Sequence, residues 1–297
     1  MKIATSTGDF SPYTNRQEDA IKFLHDSGFR CVDYNFGIDY FHKNGAYGNA
    51  VDAHIDSVKR TMDKYEMEFV QSHGPIKDPF ADDPTEIIGD TVQSAKVCDA
   101  LGIPTVVVHS GFRAGYTKEQ TIEGNIKYYR EILNRTEGLN VNILLENFNN
   151  DPRFYLINQP EDMRIVLDEI NHPRFHALLD VGHANLLETP IDKFVKILGD
   201  DLYGLHIHDN DGKADFHRGP FFGNFNFDVL LTALKEIGYD RAFTFEAIHF
   251  MPQAEKRLPT VEKPKFAKMP LELRIEAQKL LYKMGQTLLS AYDVLEY

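Results

Sequence analysis

Eight short β-rich runs, separated by stretches of helical periodicity, constrain this chain more than any other feature. They are Lys2–Thr7, Cys31–Phe36, Glu68–Gly74, Thr105–Gly111, Asn142–Phe148, Phe175–His183, Leu202–Asn210 and Phe243–His249. Most are near-continuous blocks of Val, Ile, Leu, Phe or Tyr, as in parallel strands covered on both faces. The stretches between them carry helix punctuation. Arg16–Ser27 has apolar residues at Ala20, Ile21, Phe23 and Leu24 and is followed by Gly28, a C-cap residue. Asp83-Pro84-Thr85 opens a helix to Leu101 that Gly102 stops, and Thr117 with Gln120 makes a capping box for a helix through Leu133. Pro160 and Pro190 suit the first turns of helices that close near Ile170 and at Gly199. Val51–Met62, Asp228–Ile237 and Leu271–Leu295 bring the helices to eight.

Eight strand–helix units predict a single (β/α)8 TIM barrel, an α/β fold occupying residues 1–297 as one domain. A doubly wound open sheet that bound a dinucleotide would show a Gly-rich phosphate turn after its first strand. Here that turn reads Ser6-Thr7-Gly8-Asp9-Phe10 and has no such motif. The irregular stretch Met251–Met269, with its prolines and lysines, follows the last strand and is expected to cross the barrel mouth or pack over its rim.

A chain of 297 residues can bury such a core without staples. No apolar run approaches the roughly 18 residues a membrane-spanning helix needs. The opening MKIATSTGDF lacks the apolar region and cleavage site of a signal peptide. Cys31 and Cys98 form neither a close metal-ligand pair nor a disulfide pattern and read as buried thiols of a cytoplasmic protein. The net charge of −13 disfavours nucleic acid and anionic membranes as partners.

In a TIM barrel, chemistry sits at the C-terminal ends of the strands. From the third run onward these ends read Ser72-His73, Val108-His109, Leu145-Glu146, Leu179-Asp180 with His183 shortly after, Leu205-His206-Ile207-His208 and Phe245-Glu246. Any one has a plain structural reading, a hydrogen-bonded His or a salt-bridged Glu, but consecutive strands delivering metal-type side chains to one rim point to a shared site. Carboxylates converging in a partly buried mouth repel one another and lose solvation, and a divalent cation offsets both costs. Imidazole and carboxylate without thiolate suit Zn, Mn, Fe or Co, and an oxygen-rich subset suits Mg or Mn. His206 and His208, two apart, share a face, with His206 the deeper ligand and His208 a supporting or substrate-contacting group. His25, His42, His54, His172 and His176 fall away from the rim, and His249 lies just beyond the last strand. Phe10, Tyr13, Phe36, Tyr40, Phe41 and Tyr47, in or near the first two mouth loops, suit either a sugar face or plain rim packing.

The stretch from Leu205 to Gly212, the following Asp215-Phe216-His217, the turn Gly223–Asp228 and the motif Asp180-Val181-Gly182-His183 resemble those of the xylose-isomerase-like TIM barrels. That superfamily includes sugar-phosphate isomerases and epimerases and the endonuclease IV group, and the likeness spans nearly the whole chain. It implies a four-ligand metal site of Glu146, Asp180, His206 and Glu246, whose two glutamates also move protons at the substrate carbon. Similarity to the endonuclease IV group implies further ligands in His73, His109, His183, Asp215 and His217, hence one to three ions of Zn, Mn, Co or Mg. DNA-cleaving members need a basic surface and loops that enter the minor groove. This chain is acidic, with few basic residues in Gly8–Gln17 and Gly37–Gly48.

The leading expectation is therefore a metal-dependent isomerase or epimerase of a sugar or sugar phosphate. The metal holds a carbonyl and an adjacent hydroxyl and stabilises an enediolate, while Glu146 and Glu246 remove and return the proton. His183, His208 and Arg218 are expected to bind substrate hydroxyls or an anionic group; for a substrate phosphate near the seventh and eighth strands the sequence offers Lys213, Arg218 and Gly223 but no backbone nest. The alternative is a zinc-dependent phosphoesterase of the endonuclease IV type, which Asp215 and His217 favour. Dehydration of a cyclic polyol is a minor branch, and a non-catalytic sugar-binding barrel would not need paired carboxylates on a metal. The partner expected is a small carbohydrate, and family habit implies a homo-oligomer.

Overall fold

The structure is a computed structural model that describes residues 1–250 and 268–296. Its strands are β1 (Ile3–Ser6), β2 (Cys31–Asn35), β3 (Glu68–His73), β4 (Thr105–Val108), β5 (Asn142–Glu146), β6 (Phe175–Asp180), β7 (Leu202–His206) and β8 (Phe243–Phe245). All pair in parallel in the order β7-β6-β5-β4-β3-β2-β1-β8. The ring closes where Ile207 bridges Phe245: the Ile207 N–H donates to Thr244 O at 2.8 Å and the Glu246 N–H to Ile207 O at 3.0 Å. This is a single (β/α)8 barrel.

The period-2 alternation of each strand makes two apolar cores. Val107, Leu144 and Leu178 form a small cluster of their own inside the ring. Ile143, Leu145, Leu179, Leu205, Phe243 and Phe245 belong to the large cluster between ring and helices. Gly204 faces inward, where a Cβ would meet methyls of Leu144 and Leu178 at 3.0 Å. Two residues beyond these inward positions come His109, Glu146, Asp180 and His206, on the same face as the apolar plug. The plug is the floor on which a polar mouth stands.

The helices are α1 (Gln17–Asp26), α2 (Gly37–His42), α3 (Val51–Tyr65), α4 (Thr85–Leu101), α5 (Lys118–Arg135), α6 (Pro160–Ile170), α7 (Val181–Asn185), α8 (Ile191–Leu198), α9 (Phe227–Glu236) and α10 (Leu271–Ala291). The capping box of Thr117 and Gln120 is present, and Gly102 ends α4 in the left-handed region at φ 74. Two of these helices differ from expectation. Helix α2 is too short to show a period. The expected strand Phe175–His183 stops at Asp180, because the Asp180 carboxylate accepts the His183 N–H at 2.7 Å and so caps α7. Cys31 and Cys98 are free and buried. No described helix is long and apolar enough to cross a membrane. The expected mouth-covering stretch Met251–Met269 falls almost wholly outside the described residues.

Candidate metal centre

The ends of β5, β6, β7 and β8 bring Glu146, Asp180, His206 and Glu246 together, one ligand atom from each lying within 4.8 Å of all the others. His206 is the hub. Its Nδ1 lies 2.8 Å from Glu146 Oε1, 3.4 Å from Glu246 Oε2 and 3.9 Å from Asp180 Oδ2. All four side chains are buried. Glu246 Oε2 and His206 Nε2 make no hydrogen bond, and Glu146 Oε2 meets only His109 Nε2, at 3.1 Å. Buried lone pairs that converge without donors are costly unless a cation takes them. The donor set, one imidazole and three carboxylates, suits a hard or borderline divalent metal.

The electrostatics express the same crowding. Burial pushes the Glu246 carboxyl up to about 8, against the pull of His206 and His217. Burial opposes a charged His206, yet Glu246 and Glu146 outweigh it and raise the imidazole to about 10. Burial would likewise raise Glu146, but His206 and His109 hold it well below the usual carboxylate range.

A second group, His183, His208, Asp215 and His217, adjoins the first through Asp180. His208 Nε2 is 2.9 Å from Asp180 Oδ1, and His183 Nδ1 lies 3.6 Å from Asp180 Oδ2 and 2.9 Å from Asn147 O. Asp215 links His183 Nε2 at 3.1 Å to His217 Nε2 at 3.2 Å. His217 stacks on His208 with ring centroids 3.9 Å apart. The closeness of these strand ends needs small residues: a Cβ on Gly182 would strike the His208 ring at 1.9 Å. On the other flank, His109 Nε2 is 3.1 Å from Glu146 Oε2 and His73 Nδ1 is 3.7 Å from Glu246 Oε1. Every ligand expected from the sequence therefore lies in one contiguous cluster. His208, expected as a supporting group, is as fully buried as His206.

Arg218 stands apart. Its guanidinium lies 4.1 Å over the Phe216 ring and donates to Phe222 O. Gly223 serves a turn: its N–H donates to Asp209 Oδ2 at 2.9 Å, and a Cβ there would strike Asn210 O at 2.0 Å. Among the mouth aromatics, Phe10 and Phe36 are fully buried in the core, while Tyr40 lines a recess of about 280 Å³ that opens on Glu246 and His73.

Asp33 escaped the sequence reading. It sits inside β2 rather than at its end and is fully buried. It groups with His73 and His206, its Oδ2 3.9 Å from His206 Nε2. Gln71 reaches it at 3.5 Å, and burial pushes its carboxyl up to about 6. An Asp within an otherwise apolar strand, Cys31-Val32-Asp33-Tyr34, was the signal available. Asp9 is a second such carboxylate: buried, bonded by Thr5 and Gln278 at 2.8 and 2.7 Å, with Arg274 Nη2 at 3.3 Å.

The family described as xylose isomerase-like TIM barrel matches residues 21–264. A protein of Methanocaldococcus jannaschii with no assigned function is 32% identical over 206 residues, 65% of this chain and 68% of its own. An L-ribulose 3-epimerase from Methylomonas is 38% identical over 82 residues, 27% of each chain. A solved structure of the IOLI protein with a bound zinc atom superposes with a TM-score of 0.74 at 18% identity, covering 98% of this chain and 99% of its own.

Proposed function

We propose that this chain, which belongs to the xylose isomerase-like TIM-barrel family, is a divalent-metal-dependent isomerase or epimerase of a sugar or polyol. The observation that carries this reading is the convergence of Glu146, Asp180, His206 and Glu246 with their buried, unpartnered atoms. The likeness to a sugar 3-epimerase supports it.

A cation held by these four residues supplies Lewis acidity toward adjacent carbonyl and hydroxyl oxygens. The chain does the rest. Glu146 and Glu246 come from strands three places apart in the ring and both reach His206 Nδ1. For epimerisation one carboxylate takes the proton from the carbon next to the carbonyl and the other returns one to that carbon on the opposite face; for isomerisation the proton returns to the former carbonyl carbon while a proton passes from the adjacent hydroxyl to the carbonyl oxygen. Glu246 lines the open recess, which gives substrate a direct approach to it. His183 is held through Nδ1 on Asn147 O, and its Nε2 would exchange Asp215 for a substrate hydroxyl to bind one.

The test is deuterium wash-in from heavy water, followed by NMR, over a panel of ketoses with the metal-loaded protein. Exchange next to the carbonyl is expected, and Glu246→Gln is expected to lower it about 10²- to 10⁴-fold while metal and fold are kept. Full exchange in Glu246→Gln would sink the assignment.

The second ligand group, His183–His208–Asp215–His217, favours one other reading, a phosphoesterase using two or three zinc ions. Two or more Zn per chain by elemental analysis, with phosphoester hydrolysis and no exchange on ketoses, would select it. The net charge of −13 works against a nucleic-acid substrate.

A further inference from the structure

We propose that the substrate carries an apolar, aryl-sized substituent, seated in a recess between the loops after β3, β4 and β5. The inference rests on the metal-site reading above and extends it to the part of the substrate that does not react.

The mouth has two lobes on either side of His73 and His109. The lobe beside Glu246, about 280 Å³, presents Asp9, Ser11, Asn35, Tyr40 and His249, which are groups for hydroxyls. The other lobe is of opposite character. It holds about 440 Å³ among Ile76, Pro79, His109, Phe112, Phe148 and Phe154. Phe112 meets Phe148 edge-on at 5.2 Å and Phe154 at 4.8 Å, a fixed aromatic wall. Ile76 borders both lobes and is 67% exposed, a large aliphatic side chain that gains from being covered.

Two cations reach this recess, and both are engaged. Lys77 Nζ lies 2.6 Å from Glu86 Oε1, and Arg113 lies 3.1 Å from Asp82 and donates to Phe80 O. No described residue of this lobe therefore presents an uncommitted cation to a phosphate. An apolar cavity of about 150 Å³ already holds a benzene ring, so this recess has room for a ring and its link to the reacting carbons. The connection to the metal site is His109, whose ring is 6.1 Å from Phe148 while its Nε2 is 3.1 Å from Glu146. A substituent in the recess thus lies one imidazole away from the reacting oxygens.

The experiment uses two chelators with the same two-oxygen head, acetohydroxamate and benzohydroxamate, titrated calorimetrically into the Mn-loaded protein. Benzohydroxamate is expected to bind at least tenfold more tightly. The ratio is expected to fall below about threefold in Phe154→Ala and in Ile76→Ser, the latter at an exposed position that cannot cost the fold. Acetohydroxamate binding with a ratio near one in the unmodified protein overturns the recess and leaves the metal site standing. A tenfold ratio untouched by both substitutions also overturns it, since the phenyl group then lies elsewhere. A chain that holds no Mn removes the metal-site reading, and the inference with it; a chain that holds Mn but binds neither probe overturns the recess as the seat of a substituent on a metal-bound substrate.

Discussion

Two buried polar networks stand a few residues apart in this barrel, and they are built on opposite terms. Outside β2, Tyr34 donates to Asp39 and meets His54 Nε2 at 2.8 Å, and Gln17 donates to Asn35 O at 2.9 Å and to Asp39 at 3.3 Å. Among these side chains only Gln17 Oε1 lacks a partner. Inside the ring, His73 Nδ1, His109 Nδ1, His206 Nε2, His208 Nδ1 and Glu246 Oε2 all lack one. The first network satisfies itself and locks α1, α2 and α3 to β2. The second aims its unsatisfied atoms at a common space. Polarity and burial are common to both networks; what differs is how many buried polar atoms lack a hydrogen bond.

Metal loading tests this contrast most strongly. A cation that binds only the folded chain stabilises it by about 2.7 kcal/mol at a free concentration a hundred times its dissociation constant. Thermal melts with and without Mn, Co or Zn, reversed by chelator, are expected to show this gain. A melting temperature indifferent to all of these ions would mean the inner network is as self-sufficient as the outer one.

Tyr34→Phe probes the other side. It removes a donor from a fully buried Asp39 and is expected to cost about 1–3 kcal/mol of stability with metal content per chain unchanged. If instead Tyr34→Phe loses metal, the two networks are one unit and the distinction fails.

Much of this was legible beforehand, and the reasons are physical. Strand period and helix caps are local, so the eight units and most of their bounds could be read directly. The meeting of these side chains could be read because a parallel barrel puts all strand C-termini at one end, so that six separate stretches of sequence come together there. What escaped depends on the third dimension. The sequence extends β6 to His183, but a side-chain cap at Asp180 turned the chain into α7. Asp33 lay inside a strand, where position along the chain says nothing of depth in the barrel. Arg218 is placed by features that only the fold shows, its backbone pairing with Asp209 and its side chain stacking on Phe216.

Asp33 sharpens the comparison at the contact between ring and ligand. Metal-bound histidines commonly donate their second N–H to a carboxylate, and losing that partner costs about 10- to 100-fold in metal affinity. With His206 Nδ1 facing the other three ligands and Nε2 facing Asp33, Asp33→Asn is expected to weaken metal binding about tenfold, roughly 1.4 kcal/mol. Competition with a metal-sensing dye measures it, and an unchanged affinity would make Asp33 a bystander.

The smallest effect is one of slope. In the metal-free chain His206 titrates at about 10, His217 at about 9 and Glu246 at about 8, against ordinary values of 6.5, 6.5 and 4.5. Between pH 6.5 and 8 the folded chain therefore holds protons that the unfolded chain has released. A state that binds more protons loses ground as pH rises, so stability is expected to fall across this window. His73 and His208, lowered chiefly by burial, act in the opposite sense, but only near and below pH 6.5, where the unfolded chain would protonate them. A bound cation displaces the protons that hold the inner network together, so the metal-loaded chain should show a flatter profile over the same range. Melts at half-unit pH steps, with and without metal, give both slopes; parallel profiles would show that protons and cation do not compete for these atoms.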